Sequence, residues 1–117
     1  MGRTLSKPMG AAVIALACGA LAIAAASPTV AGEAALAEGK ILFQQGAVPA
    51  CAVCHTLQDA GASGAIGPDL DELQPNRDQI LAVLRDGSGP MPSFADSLTD
   101  EQRQAVADYV VWATQPH

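Results

Sequence analysis

The sequence predicts an all-α domain, and three observations carry that expectation. Residues 34 to 45 are rich in helix formers and place Leu36, Gly39 and Phe43 along one side. Asn76, and Thr99 with Gln102, are helix-start signals standing ahead of apolar stripes. No alternating β-branched run precedes Cys51, so nothing in that part of the chain asks for a strand.

Taken in order, the first element is a leader. Arg3 and Lys7 precede a small-apolar run from Met9 to Ala26, followed by Ser27-Pro28 and further small residues, which reads as a signal peptide. Cleavage is expected after Ala26 or after Ala31. The second is preferred because acidic, helix-forming residues begin just beyond it at Glu33, which gives a leader over 1–31 and a mature domain over 32–117. There is no twin-arginine pair, and Cys18 lacks the upstream leucine of a lipoprotein box. No second apolar run approaches the ~18 residues that a membrane span requires, so no span is expected after cleavage and an uncleaved N-terminal anchor is the one membrane alternative.

The helix over 34–45 breaks at Gly46 to Ala50. Residues 59–67 read as a glycine-alanine loop without a helical pattern. Asn76 caps a helix through Arg85 with Ile80, Val83 and Leu84 on its apolar face, and Gly87 ends it. The last helix opens with a Thr99–Gln102 capping box and carries Val106, Tyr109, Val110 and Ala113 at i, i+3, i+4 and i+7 spacing, a stripe that reads as core.

Composition narrows the function. The chain is 50% hydrophobic, 15% charged and carries six basic against twelve acidic residues, for a net charge of -6. Loss of the leader leaves Lys40, Arg77, Arg85 and Arg103 against all twelve acids, which argues against a nucleic-acid partner. A domain of this length is near the size where a hydrophobic core alone is marginal. Its aromatics are only Phe43, Phe94, Tyr109 and Trp112, so something other than side chains is expected to fill the middle.

Cys51-Ala52-Val53-Cys54-His55 says what that is. C-x-x-C-H is the c-type haem attachment motif. On one helical turn, thiols at i and i+3 share a face and can reach two vinyl groups on one porphyrin edge, while the next residue offers an imidazole to the iron. Three other uses of the cysteines are weaker. A structural zinc site needs four ligands, and His117 is the one further candidate. A redox dithiol expects a strand before its helix. A disulfide between the two is chemically allowed in an oxidising compartment.

Haem iron asks for a sixth ligand. Met91 is the only methionine of the mature chain, and it stands in Gly87-Ser88-Gly89-Pro90-Met91-Pro92. Pro92 biases Met91 to an extended backbone and Pro90 fixes the approach, so the segment forms a strut that can hold a thioether toward iron. The expected iron ligands are His55 and Met91.

With C-x-x-C-H, Gly67-Pro68-Asp69-Leu70 and the later Met91-Pro92, the chain resembles the class I monohaem c-type cytochromes over nearly the whole mature sequence. The resemblance implies a small all-α fold packed around one haem c bound covalently through Cys51 and Cys54. It implies that the Pro68 carbonyl accepts a hydrogen bond from the second nitrogen of His55, fixing its tautomer and raising its basicity, and that Leu70 packs on the porphyrin. It further implies that the first and last helices cross near Gly39 and Phe43 against Tyr109.

A six-coordinate His/Met iron has no vacant site for substrate, which implies outer-sphere one-electron transfer in the periplasm with no catalytic residue. The partners implied are redox proteins, such as a periplasmic dehydrogenase and a terminal oxidase or another cytochrome. Residues 54 to 71 also resemble the cytochrome subunit of bacterial molybdenum-dependent sulfite dehydrogenases, so an electron-accepting subunit is the alternative to a free carrier. A ligand-binding or peroxidase-like haem protein is a third reading, disfavoured by the closed ligand set. The acidic surface is expected to steer basic partners, with Asp69, Asp71 and Glu72 as candidates near the haem edge, and Arg77 and Arg85 as candidates to neutralise propionates.

Overall fold

The computed structural model describes residues 29–117, together with Gly2, residues 10–15 and Gly19-Ala20. The expected leader, including Met9 and Cys18, falls largely outside the described residues. The first helix, α1, spans Val30–Ile41 and so starts before position 34. Thr29 is its N-cap, its hydroxyl accepting from the Gly32 amide at 3.3 Å, and Glu33 in the first turn suits the helix dipole. Past Ile41 the helix widens into one π-type turn, Leu42–Gly46, closed by the Ala47 amide donating to the Leu42 carbonyl at 3.0 Å. That turn buries Leu42 and Phe43 side by side, and it completes the segment expected to break at Gly46.

The haem motif forms a single helical turn, α2, Cys51–Cys54, and His55 leaves it in an extended conformation. The stretch expected as a loop over 59–67 then holds the second strand of a small hairpin whose first strand lies just before it. Strands β1 (Thr56–Leu57) and β2 (Ala62–Ser63) pair antiparallel, Thr56 with Ser63 and Leu57 with Ala62, around a 3-10 turn at Gln58–Ala60. Strands of two residues leave no readable alternation, and Leu57 is held there by complete burial. A further short helix, α3 (Leu70–Leu73), is capped by Asp69, whose carboxylate accepts from the Asp71 and Glu72 amides.

Helices α4 (Arg77–Asp86) and α5 (Asp100–Ala113) match their sequence signals. Each has a full capping box, Asn76 with Gln79 and Thr99 with Gln102, and α4 ends at Gly87 with φ +73°. Ile80 and Leu84 are buried, as are Val106, Tyr109 and Val110. Helix α1 crosses α5 at Gly39, where an added Cβ would lie 2.6 Å from Tyr109 Cβ and closer still to the Ala105 carbonyl. Only glycine permits that approach. One turn on, the Phe43 and Tyr109 rings meet edge to face, 6.2 Å between centroids at 66°.

Candidate haem site

A cleft of about 690 Å³ opens beside this crossing, within the size range of cofactor sites. Phe43 and Val106 form its floor from the crossing helices, Cys51, Cys54 and His55 one wall, Pro68, Leu70 and Leu73 a second, and α4 with the Ser88–Phe94 segment a third. All six of the residues expected at the site, Cys51, Cys54, His55, Pro68, Leu70 and Met91, line this one cleft. None of its lining residues is an aspartate, glutamate, lysine or arginine.

His55 is held by local geometry on two sides. Its Nδ1 donates to the Pro68 carbonyl at 2.8 Å, and because a carbonyl can only accept, the proton sits on Nδ1 and the Nε2 lone pair is left for a metal. The neighbouring Gly67 lies flat against the imidazole: a Cβ there would come within 2.5 Å of Cε1 and 2.8 Å of Nδ1. The Gly67 amide also donates to the Cys54 carbonyl at 2.7 Å, tying this segment to α2. The sequence shows Gly67 as part of a motif, but its steric role emerges only from the fold.

Met91 enters from a tight turn. Ser88 and Met91 form a two-residue bridge, with the Ser88 amide donating to the Met91 carbonyl at 3.0 Å and the Met91 amide returning to Ser88 at 2.9 Å. The chain beyond is braced by Arg103, mostly buried, whose guanidinium donates to the carbonyls of Phe94, Ala95 and Leu98 and pairs with Asp100. Arg103 is a supporting residue that the sequence reading passed over, since an arginine in a polar first turn carries no distinguishing signal.

Behind the His55 wall stands a second polar anchor. The buried Tyr109 hydroxyl donates to Asp59 Oδ2 at 2.6 Å, and Lys40 Nζ lies 3.1 Å from the same oxygen. The Tyr109 hydrogen bond, helped by Lys40, holds the Asp59 carboxyl below its ordinary range, while burial and then Asp59 push the Tyr109 phenol up. Arg77 pairs with Asp108 and Arg85 with Asp86, and neither lines the cleft, so both expected propionate partners are engaged elsewhere.

The thiols speak against the competing chemistries. Cys51 and Cys54 are free, and burial pushes the Cys51 thiol up to about 11, the reverse of what a reactive dithiol needs. Among the described residues no three His, Cys, Asp or Glu side chains gather for a metal ion, and His117 stacks on Trp112 with centroids 4.6 Å apart. An apolar cleft of this size, with both thiols and a tautomer-fixed imidazole on one wall, fits a c-type haem.

Comparison with known proteins agrees. Residues 34–110 match the family described as cytochrome c oxidase, cbb3-type, subunit III. The crystal structure of the c-type cytochrome SorU from Sinorhizobium meliloti superposes with a TM-score of 0.68 at 45% identity, covering 70% of this chain and 93% of that one. Cytochrome c6 of Leptolyngbya boryana is 35% identical over 65 residues, 52% of this chain and 76% of that protein. The quinohemoprotein alcohol dehydrogenase ADH-IIG of Pseudomonas putida is 39% identical over 64 residues, which is 52% of this chain but spans 9% of that enzyme's length.

Proposed function

This chain belongs to the class I monohaem c-type cytochromes, in the family described as cbb3-type cytochrome c oxidase subunit III, and we propose that it is a periplasmic one-electron carrier with His55 and Met91 as axial ligands. The observation that carries the ligand set is the 2.8 Å bond from His55 Nδ1 to Pro68 in a cleft that Met91 also lines. When bound, haem c supplies reversible one-electron exchange at its iron. The chain's own residues do the rest. Cys51 and Cys54 would tether the porphyrin edge, Pro68 keeps the His55 proton on Nδ1, and Gly67 leaves the room that the ring occupies. Leu70, Ile80 and Val110 line the cleft and would exclude water from a bound haem, which with His/Met ligation would favour a high potential.

The mature domain of this reading is 32–117, after removal of the leader. Because Thr29 caps α1, a cut after Ala31 removes the cap whereas a cut after Ala26 retains it, and the intact mass of the exported protein distinguishes the two. Ligation is tested by the far-red charge-transfer band of the oxidised protein, which reports methionine sulfur on ferric iron. The reduced protein is expected to bind carbon monoxide poorly at neutral pH. A c-type spectrum that lacks the band and binds carbon monoxide readily would overturn Met91 as ligand.

A second reading has support of its own. Residues 54 to 71 resemble the haem subunit of molybdenum-dependent sulfite dehydrogenases, and half of this chain is similar to a short part of a quinohemoprotein dehydrogenase. In that reading the protein is the electron-accepting subunit of a periplasmic dehydrogenase. Stable co-purification with a molybdopterin-containing oxidoreductase favours it over a free carrier.

A further inference from the structure

The readily oxidised aromatic side chains of this protein are one tyrosine and one tryptophan, and the fold makes them neighbours. Tyr109 and Trp112 stand three positions apart on α5, their rings stacked with 6.4 Å between centroids and 29° between planes. Inward, Tyr109 meets Phe43 edge to face at 6.2 Å, and Phe43 lines the cofactor cleft. Outward, Trp112 is 42% exposed, whereas Phe43 and Tyr109 are buried. Three aromatic rings thus run in sequence from the cleft through the helix crossing to solvent.

Packing accounts for Phe43 against Tyr109, but not for the partner that the Tyr109 hydroxyl takes. It donates to the carboxylate of Asp59, 2.6 Å away, a length typical of a charge-assisted bond. Burial and then Asp59 keep the phenol protonated, while the Tyr109 hydrogen bond, helped by Lys40, keeps Asp59 ionised, so at rest the donor is loaded and the acceptor empty. A phenol loses an electron far more readily when its proton can pass to a base in the same event, and a carboxylate in hydrogen-bond contact is such a base. Lys40 Nζ, 3.1 Å from the same oxygen, lowers its proton affinity and so favours return of the proton once the phenol has its electron back.

Resting on the carrier reading, we propose that Tyr109 and Trp112 form an internal electron relay, by which Trp112, after losing an electron to a one-electron oxidising radical, is refilled from the reduced haem. The radical takes one electron from the indole and leaves as its anion, and the indole sheds its N–H proton to water. Trp112 then regains an electron from Tyr109 and a proton from water, while the phenolic proton passes to Asp59 Oδ2. Tyr109 regains its electron from the reduced haem by way of Phe43, and its proton from Asp59. The net change is one radical reduced to its anion and one haem taken from ferrous to ferric, with no proton gained or lost. Phe43 is not oxidised in this sequence and serves as the apolar contact between the cleft and the phenol.

The test generates azidyl radicals, which attack indole and phenol side chains, by pulse radiolysis of the ferrous holoprotein, and follows the tryptophanyl, tyrosyl and haem absorptions. With one tyrosine and one tryptophan in the chain, each radical band has a single source. In the wild type the tryptophanyl band should decay in a first-order step independent of protein concentration, a tyrosyl band should rise and fall, and haem should turn ferric as it falls. Direct attack on the haem is over within the life of the azidyl radical and is thereby distinct from this later step. In the ferric protein the side-chain radical should persist. Tyr109→Phe, which keeps the ring, should leave the tryptophanyl radical to decay without oxidising haem, and Trp112→Phe should abolish the tryptophanyl phase. Asp59→Asn should slow the first-order step by about tenfold or more. Haem oxidation at an unchanged first-order rate in Tyr109→Phe, or purely bimolecular decay of the tryptophanyl radical in the wild type, overturns the relay, and an unchanged rate in Asp59→Asn overturns Asp59 as its proton acceptor. A haem that ascorbate and hexacyanoferrate(III) cannot cycle would instead sink the carrier reading, whereas a haem that cycles but does not answer Trp112 sinks the relay alone.

Discussion

Where α1 crosses α5, Gly39 lies against Ala105 and Tyr109, Phe43 meets Tyr109 edge to face, and the protein fills its own interior. On the other side of Phe43, the walls carrying His55, Leu70, Ile80 and Met91 stand around a cleft of about 690 Å³ and are joined mainly by turns, caps and single hydrogen bonds. The crossing is encoded by side-chain shape, and the cleft by the cofactor its residues are set to hold. A domain this small has few apolar side chains to fill both halves, so the second half is expected to gain stability from the bound haem.

The largest effect separates the halves outright. Cys51→Ala with Cys54→Ala should abolish acid-acetone-resistant haem. The protein should then lose order around residues 48–98 while amides of α1 and α5 keep residual hydrogen-exchange protection. Uniform protection, or uniform loss, would show that the halves are not distinct.

Next in size are changes at the iron. Met91→Ala should leave haem attached, remove the far-red band, allow carbon monoxide to bind, and lower the reduction potential by on the order of 100 mV, since axial ligands tune haem over several hundred millivolts. Gly67→Ala should act on the same half more gently. Its new Cβ meets the His55 ring, so the imidazole must tilt and the Pro68 bond lengthen, seen as shifted haem-methyl resonances and a lower potential with little change at the crossing. Unaltered methyl shifts would contradict the role given to Gly67.

Gly39→Ala breaks the other half. Forcing a methyl between α1 and α5 should cost about 1–3 kcal/mol, lowering Tm without moving the optical bands or the potential. The smallest effect is expected from Asp59→Asn, about 1 kcal/mol. Because the Asp59 carboxyl is depressed, chiefly by Tyr109, its contribution is present above the ordinary carboxylate range and is lost as pH falls through its lowered value. The variant should therefore be less stable at neutral pH and should show a flatter acid limb in an unfolding series from pH 7 to 2. An unchanged acid limb would remove Asp59 from the account.

The helices with strong caps and stripes were legible without coordinates. Asn76, Thr99 and Gln102 mark helix starts by a mechanism confined to four residues, and Val106, Tyr109 and Val110 repeat at helical spacing, so both α4 and α5 stand where their signals placed them. The β1–β2 hairpin and α3 were not legible, because elements of two or four residues are too short to show a period and are fixed by the burial of Leu57 and Leu70. The start of α1 at Val30 was missed for a related reason: small residues such as Ala31 and Gly32 suit a leader's end and a helix's first turn alike.

Local chemistry determined the covalent haem of this protein. Two thiols and an imidazole at fixed spacing need only one turn of backbone to act together, so Cys51, Cys54 and His55 declare their purpose in five residues. Tertiary structure alone decided what surrounds them: that Gly67 rests against the imidazole, that Arg103 braces the chain after Met91, and that Asp59 joins Tyr109 and Lys40. Those relations join residues from different elements, from Arg103 and Ala95 eight positions apart to Asp59 and Tyr109 fifty apart, and such contacts acquire their energy only when the fold brings them within a few ångströms.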